Sequence, residues 1–323
     1  MANSQENLTL TNHLEKNISN NRNGNLYSKE NSISNKRRII MKDVFELLKI
    51  NKSYDERVKD MKKYMEKAKS YKILNLTVAS TSLNYTKSIF SINPYGMIDD
   101  NKNITKDGIA LFGYEPYNDL EKNIDEENYM EKISIYDFIF PINNENSINL
   151  SEFPSFSIYF NTEDENYYIK DFNIGIGALM KIKKYKIENN TLINIGANYL
   201  VICIENTDLE IKIFNNNILE SNNEEKKKFD TISFKINDNE DKIITIGRNK
   251  KCDVSIEDMM MSKIQSCIKY NSEEKAFYLY DGNTKRESMN GTWVYIMNPI
   301  LITDNFIFKA EHTLFVVNLI DNK

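Results

Sequence analysis

The chain reads as mainly β: two tandem β-sandwiches preceded by a short helical segment and a disordered N-terminal tail. Three observations predict this. Short runs of alternating apolar and polar residues, such as Ile73–Ala79 and Ile243–Gly247, are separated by turn residues, which is the pattern of sandwiches rather than of βαβ units. The segment Tyr167–Glu205 is paralleled by Phe277–Leu319: an aromatic strand with a shared Asp, a Gly-containing loop, two strands, a polar turn and an apolar last strand. A repeat more than a hundred residues apart signals duplication of a whole domain, not a solenoid. A length of 323 residues allows about two domains of ordinary size.

In order along the chain, residues 1–38 are dominated by Asn, Ser and scattered charges and are expected to be disordered. Lys36, Arg37 and Arg38 follow Ser32 and Ser34, which offers a kinase-type or nuclear-import patch; a solvated tail is the preferred reading. Residues 39–71 turn helical. Val44, Phe45, Leu47 and Leu48 share one face, Val58, Met61, Met65 and Ala68 recur at spacings of three and four, and Ser53 or Asp55 caps the second helix. Residues 72–206 supply the strands of the first sandwich, interrupted by an acidic insertion at 115–132 that reads as a solvated loop or short helix. Residues 207–323 form the second, with a charged excursion at 215–228.

Composition narrows the function classes. A formal net charge of −5 argues against a general binder of nucleic acid or anionic membrane. Three cysteines without paired spacing, Cys203, Cys252 and Cys267, argue against a disulfide framework or a zinc site and for a reducing, intracellular setting. No apolar run is long enough to span a bilayer, and the polar start lacks a signal peptide's core. An enzyme has no support: the two histidines, His13 and His312, assemble with no nucleophile, and there is no phosphate-binding GxxxxGK loop. No cofactor, metal or small-molecule substrate is expected.

The chemistry concentrates between Ile243 and Val294. Arg248 carries a planar fork of donors suited to two oxygens of a phosphate or carboxylate, and Ser262 and Lys263 add a hydroxyl and a compact positive charge. Asn290 supplies an amide able to hold a peptide main chain, followed by Gly291, free to take a positive φ. The bland alternatives are a surface ion pair for Arg248, packing for Trp293 and buried small hydrophobes for Cys252 and Cys267. Met259, Met260 and Met261 offer either an adaptable apolar rim or packing beneath the loop.

These residues resemble the forkhead-associated (FHA) family. The family's Gly-Arg pair falls on Gly247 and Arg248, its Ser and following residue on Ser262 and Lys263, and its Asn-Gly-Thr on Asn290, Gly291 and Thr292. The resemblance implies a β-sandwich in which Arg248 and Ser262, with Lys263 beside them, hold the phosphate of a phosphothreonine peptide while Asn290 fixes its main chain. Gly247, Gln265, Gly291 and Thr292 then shape the loops. Gln265 stands where the family usually has His, and Met289 where it often has Ser or Thr. In the first sandwich the same positions read Gly113-Tyr114, Glu152-Phe153 and Ile176-Gly177, which makes it a degenerate FHA-like copy without the phosphate site. The expected function is a non-catalytic phosphothreonine-peptide-binding adaptor whose partners are phosphorylated proteins. The alternative is a phosphate-independent scaffold built on both sandwiches.

Overall fold

A computed structural model describes residues 29–66, 70–82, 85, 88–98, 107–114, 135–140, 153–174, 177–215, 229–283 and 285–321. The acidic insertion expected at 115–132 lies outside these, as do Glu152, Ile176 and nearly all of the excursion at 215–228. The described chain is mainly β and forms two compact units, one built from the residues up to Ala178 together with those from Ile296, the other from Leu179–Tyr295.

In the first unit, strands β1 (Lys72–Thr81), β2 (Ile89–Asn93) and β3 (Gly96–Ile98) form antiparallel hairpins. They are extended by the hairpin of β20 (Ile307–Ala310) and β21 (Thr313–Asp321), with β1 and β21 paired along nearly their whole length. A second sheet runs β19 (Ile300–Leu301), β7 (Asn166–Asp171), β6 (Phe156–Asn161), β4 (Ile109–Gly113) and β5 (Phe138–Ile139). Aromatic rings fill this core: Phe112 stacks on Phe156 with centroids 4.4 Å apart, and Phe308 on Phe315 at 4.9 Å.

Two helices belong to this unit. Helix α1 (Lys29–Leu47) begins inside the stretch expected to be disordered, and α2 (Tyr54–Glu66) follows. Ile40, Met41, Val44, Phe45 and Leu48 of α1 pack against Ile109 and Leu111 of β4 and against Tyr136, Phe153 and Tyr159. Arg37 corrects both the tail boundary at 38 and the solvated basic patch. It is almost wholly buried, donating to Asp107 Oδ2 at 3.0 Å, Asp137 Oδ2 at 3.0 Å, Ile135 O at 2.7 Å and Ile109 O at 2.9 Å. Burial works against its charge, yet Asp107 and Asp137 push the guanidinium further above its already high ordinary pKa. A buried ion pair persists when every donor is met, and here carboxylates and carbonyls meet them. Arg38 faces outward and pairs with Asp55 at 2.6 Å. Helix α2 opens on a reciprocal cap: Glu56 Oε2 accepts the Ser53 N–H at 2.8 Å, and Ser53 Oγ accepts the Glu56 N–H at 3.3 Å.

The second unit is a sandwich of its own. One layer runs β13 (Asp230–Phe234), β12 (Asp208–Asn215), β11 (Asn198–Glu205), β10 (Thr191–Ile195), β18 (Thr292–Tyr295) and β8 (Ala178–Ile182). The other runs β15 (Val254–Ser255), β14 (Lys242–Gly247), β16 (Ser266–Asn271), β17 (Ala276–Asp281) and β9 (Lys184–Lys186).

These units cut across the boundary expected between residues 206 and 207. That point is the tip of a hairpin, where β11 and β12 pair continuously from Asn198↔Asn215 to Glu205↔Asp208 around Asn206 at φ 56°. Dividing there would split the β11–β12 pairing and cut one sheet in two. The last strands of the chain likewise complete the first unit, through β21 on β1 and β19 on β7, while β9, β10 and β11 complete the second.

Candidate functional site

The site is built at the end of β14. Ile244 and Ile246 point into the core by alternation, and the strand ends at Gly247. A Cβ on Gly247 would stand 2.4 Å from Lys263 O and 2.9 Å from Ile264 Cα, both backbone atoms, so the close approach of two chains requires glycine there. That approach zips the loops together: Arg248 N–H donates to Ser262 O at 3.2 Å and Asn249 N–H to Lys263 O at 3.1 Å. The Arg248 and Lys263 side chains are exposed, and neither has an ion pair among the described residues. Behind them Asp253 locks the loop, its Oδ2 accepting both the N–H and the hydroxyl of Thr245 at 2.8 and 2.7 Å. The Thr245 N–H holds the Asp253 carboxyl below the usual carboxylate range. Cys252 is only half-buried; its thiol donates to Lys263 O at 3.3 Å, and burial raises its pKa.

Gln265 is fully buried and joins two loops, its own and the one between β17 and β18. Its Oε1 accepts the Ser262 N–H at 2.9 Å, and its Nε2 donates to Ser288 Oγ at 2.7 Å and to Gly291 O at 2.8 Å. Ser288 in turn donates to Asp281 Oδ1 at 2.6 Å and accepts the Gly291 N–H at 2.9 Å, so its hydrogen-bonding capacity is used within the fold. Thr292 is also structural: buried, it donates to Asp281 Oδ1 at 2.8 Å and meets Ser266 Oγ at 2.7 Å. Gly291 takes φ 77°, and a Cβ there would collide with Lys181 Cε at 2.6 Å.

Ser262 Oγ accepts the Met289 N–H at 3.1 Å, which leaves its own proton free to donate to an arriving oxygen. Asn290 Nδ2 donates to Met260 O at 2.7 Å, which leaves its Oδ1 to accept from a ligand main chain. Trp293 is buried, and its indole N–H donates to Asn290 O at 3.0 Å, fixing the backbone that carries this amide. The backbones of Arg248, Ser262, Lys263 and Asn290 are thus joined by direct hydrogen bonds or by one intervening residue. The arrangement offers an exposed cation, a free hydroxyl donor and a free amide acceptor on hydrogen-bonded neighbouring loops.

Residues 244–309 match the model of the FHA domain. FHA domains are phosphopeptide-binding, non-catalytic protein-interaction modules, so this C-terminal part of the chain carries such a module. Its matched segment runs past Tyr295 into residues whose strands complete the first unit. No curated protein and no solved structure matches the chain. Among the described residues no helix is long and apolar enough to cross a membrane.

Sequence reasoning missed Asp258. Its Oδ1 accepts the Met260 N–H at 2.7 Å, and its Oδ2 accepts the Ala197 N–H and Asn198 Nδ2, both at 2.8 Å. It thereby ties the Ser262 loop to the β10–β11 turn, where Gly196 sits at φ 58° with no room for a Cβ beside the carboxylate. An acid directly before a run of three methionines carries no signal of this, because these partners lie some sixty residues away. Asp281 was visible as the Asp shared by the repeat, but not as the acceptor that orients Ser288 and Thr292.

Proposed function

We propose that this protein is a phosphothreonine-peptide reader that recruits phosphorylated partner proteins, with Leu179–Tyr295 doing the reading. The observation that carries this is the exposed side chain of Arg248 on a backbone bonded directly to Ser262 O, with the hydroxyl proton of Ser262 free and the Ser262 loop held by the buried Gln265. A doubly charged phosphate takes charge-assisted bonds from Arg248 and Ser262, with Lys263 adding charge, and Asn290 Oδ1 accepts from the peptide main chain. The remaining Asn290 hydrogen bond, to Met260 O, keeps that amide oriented. Such a ligand places the protein inside the cell, where protein kinases act. The supporting role falls to the first unit, whose equivalent position holds Tyr114; its hydroxyl donates to Glu311 Oε2 at 2.9 Å, which leaves an acid where a phosphate would need a cation. In a phosphothreonine peptide library the intact protein retains phosphorylated members only, and Arg248→Ala abolishes retention. Equal retention of phosphorylated and unphosphorylated peptides would return the protein to a phosphate-independent scaffold.

A further inference from the structure

Two hairpins of the chain are alike in backbone and unlike in content. β10–β11 and β20–β21 each turn through two residues, closed by Ile195↔Asn198 in one and Ala310↔Thr313 in the other. The first turn residue is left-handed in both, Gly196 at φ 58° and Glu311 at φ 45°. Each second strand then lies antiparallel to the strand that opens a sandwich, β11 on β12 and β21 on β1. Backbone pairing alone lets either hairpin close either unit. The side chains do not.

Core size separates the hairpins first. Phe308 and Phe315 of β20–β21 stack on each other and meet Phe156, Phe138 and Phe140 edge-on. The same register positions of β10–β11 hold Ile193 and Leu200, both fully buried in the second unit. Trading the hairpins would force two rings into a space packed for aliphatic side chains and leave voids among the rings of the first unit. The turns separate them again. Asp258 Oδ2 accepts the Ala197 N–H and Asn198 Nδ2, and a Cβ on Gly196 would stand 2.3 Å from that oxygen. Glu311 in the place of Gly196 would bring both the Cβ and a second carboxylate. In the first unit the same acid has a use: Tyr114 donates to it at 2.9 Å, while Thr313 Oγ1 meets the Tyr85 hydroxyl at 2.7 Å and Thr81 Oγ1 at 3.0 Å.

We propose that the chain exchanges these hairpins between its two repeats, and that core size and turn chemistry assign β10–β11 to the unit that carries Arg248, Ser262 and Asn290. The residues after 206 are then no reader by themselves. The Ser262 loop is positioned through Asp258 by the turn at Gly196, Ala197 and Asn198, which the first repeat supplies. β20–β21, which follows Asn290 in the chain, is committed to the first unit. The sorting stands on contacts alone; its consequence for binding rests on the phosphothreonine reading.

A competition inside the full chain tests the sorting. Cys203 of β11 and Asn318 of β21 hold the same register position, the first opposite Glu210 and the second opposite Asn75. In the variant Asn75→Cys, Asn318→Cys, mild oxidation joins positions 75 and 318, because directly opposed strand residues lie within disulfide reach. Were the hairpins traded, position 75 would face Cys203 and the bond would form there. Peptide mapping by mass spectrometry identifies the bond, and a non-reducing gel shows whether it lies within one chain. A bond to Cys203, a bond between two chains, or none overturns the exchange, whether or not phosphopeptides bind.

The binding arm measures a phosphothreonine peptide that wild type retains from the library, using opposite changes at one register position. Gly196→Glu weakens its binding by about tenfold, and Glu311→Gly leaves it unchanged; the disulfide joining positions 75 and 318 verifies that each variant keeps the fold. Weakening by Glu311→Gly in place of Gly196→Glu means that the second hairpin closes the reader, and it overturns the proposal. Phosphate-dependent binding that neither variant changes overturns the positioning role and leaves the reader standing. Wild-type binding that ignores phosphate overturns the reading itself, and the disulfide still decides the exchange.

Discussion

Ile109 and Ile243 hold the same place in two strands, yet the first is fully buried and the second half exposed. The equivalence is fixed by pairing. Gly113 at the end of β4 lies opposite Ile139 in a parallel bridge, and Gly247 at the end of β14 lies opposite Ser255 in the same way. Ser155 N–H donates to Phe112 O as Gln265 N–H donates to Ile246 O, each at 2.8 Å. One residue beyond each glycine the units part company, with Tyr114 in one and Arg248 in the other. At the opposite end of the strand the difference is as sharp. Asp107 is buried under Arg37 of α1, whereas Asp241, at the same register, stays in solvent with Ser272 and Lys269. The comparison teaches that one strand frame serves two ends: in the first unit its polar positions hold helices, and in the second they leave a cationic rim open.

Breaking the helix attachment gives the largest effect. Arg37→Ala leaves Asp107 buried without its cation and costs about 3–5 kcal/mol in urea-induced unfolding, while phosphopeptide affinity of the folded protein is unchanged. Next comes the rim itself. Arg248→Ala removes charge-assisted bonds worth about 1.5–3 kcal/mol each, which calorimetry reads as a loss of at least tenfold in affinity; Tyr114→Arg leaves affinity where it was. Gln265→Ala strands the Ser262 N–H and the Gly291 carbonyl, lowering stability by about 1–3 kcal/mol and weakening phosphopeptide binding with it. Smaller still, Gly196→Ala places a Cβ against Asp258 at a left-handed φ and costs on the order of 1–3 kcal/mol or less in a thermal melt.

The smallest effect is a pH limb. The Ser272 N–H, then Lys269, hold the Asp241 carboxyl down at about 2, below its ordinary 3.8. A depressed carboxylate stabilises the fold above its unfolded pKa and loses that contribution as pH falls through the folded value. Asp241→Asn therefore removes this contribution at neutral pH and flattens the acid limb of the stability profile between about pH 4 and 2.

Much of this frame was legible because period-two alternation reports burial directly: Ile244 and Ile246 point inward as their spacing requires. The polar set at Arg248, Ser262, Lys263 and Asn290 was legible as chemistry before its loops had a shape. What escaped was long-range. Arg37 reads as one of three basic residues in a polar stretch, and only Asp107 and Asp137, far along the chain, make it a core residue. Alternation also says which face of a strand is buried but not which strand lies beside it. Because Tyr167–Glu205 and Phe277–Leu319 are alike, their strands satisfy either unit's edge, and the boundary at 206–207 could not be checked against the β11–β12 hairpin that spans it.

The most direct measurement is the affinity of the full-length protein for matched peptides that differ only in phosphorylation of one threonine, taken at pH 7.5 and again below the second phosphate pKa of about 6. The account predicts binding of the phosphorylated peptide alone, weakening at the lower pH as the phosphate loses charge, and abolished by Arg248→Ala. Equal affinity for the two peptides, or binding indifferent to Arg248, would contradict it.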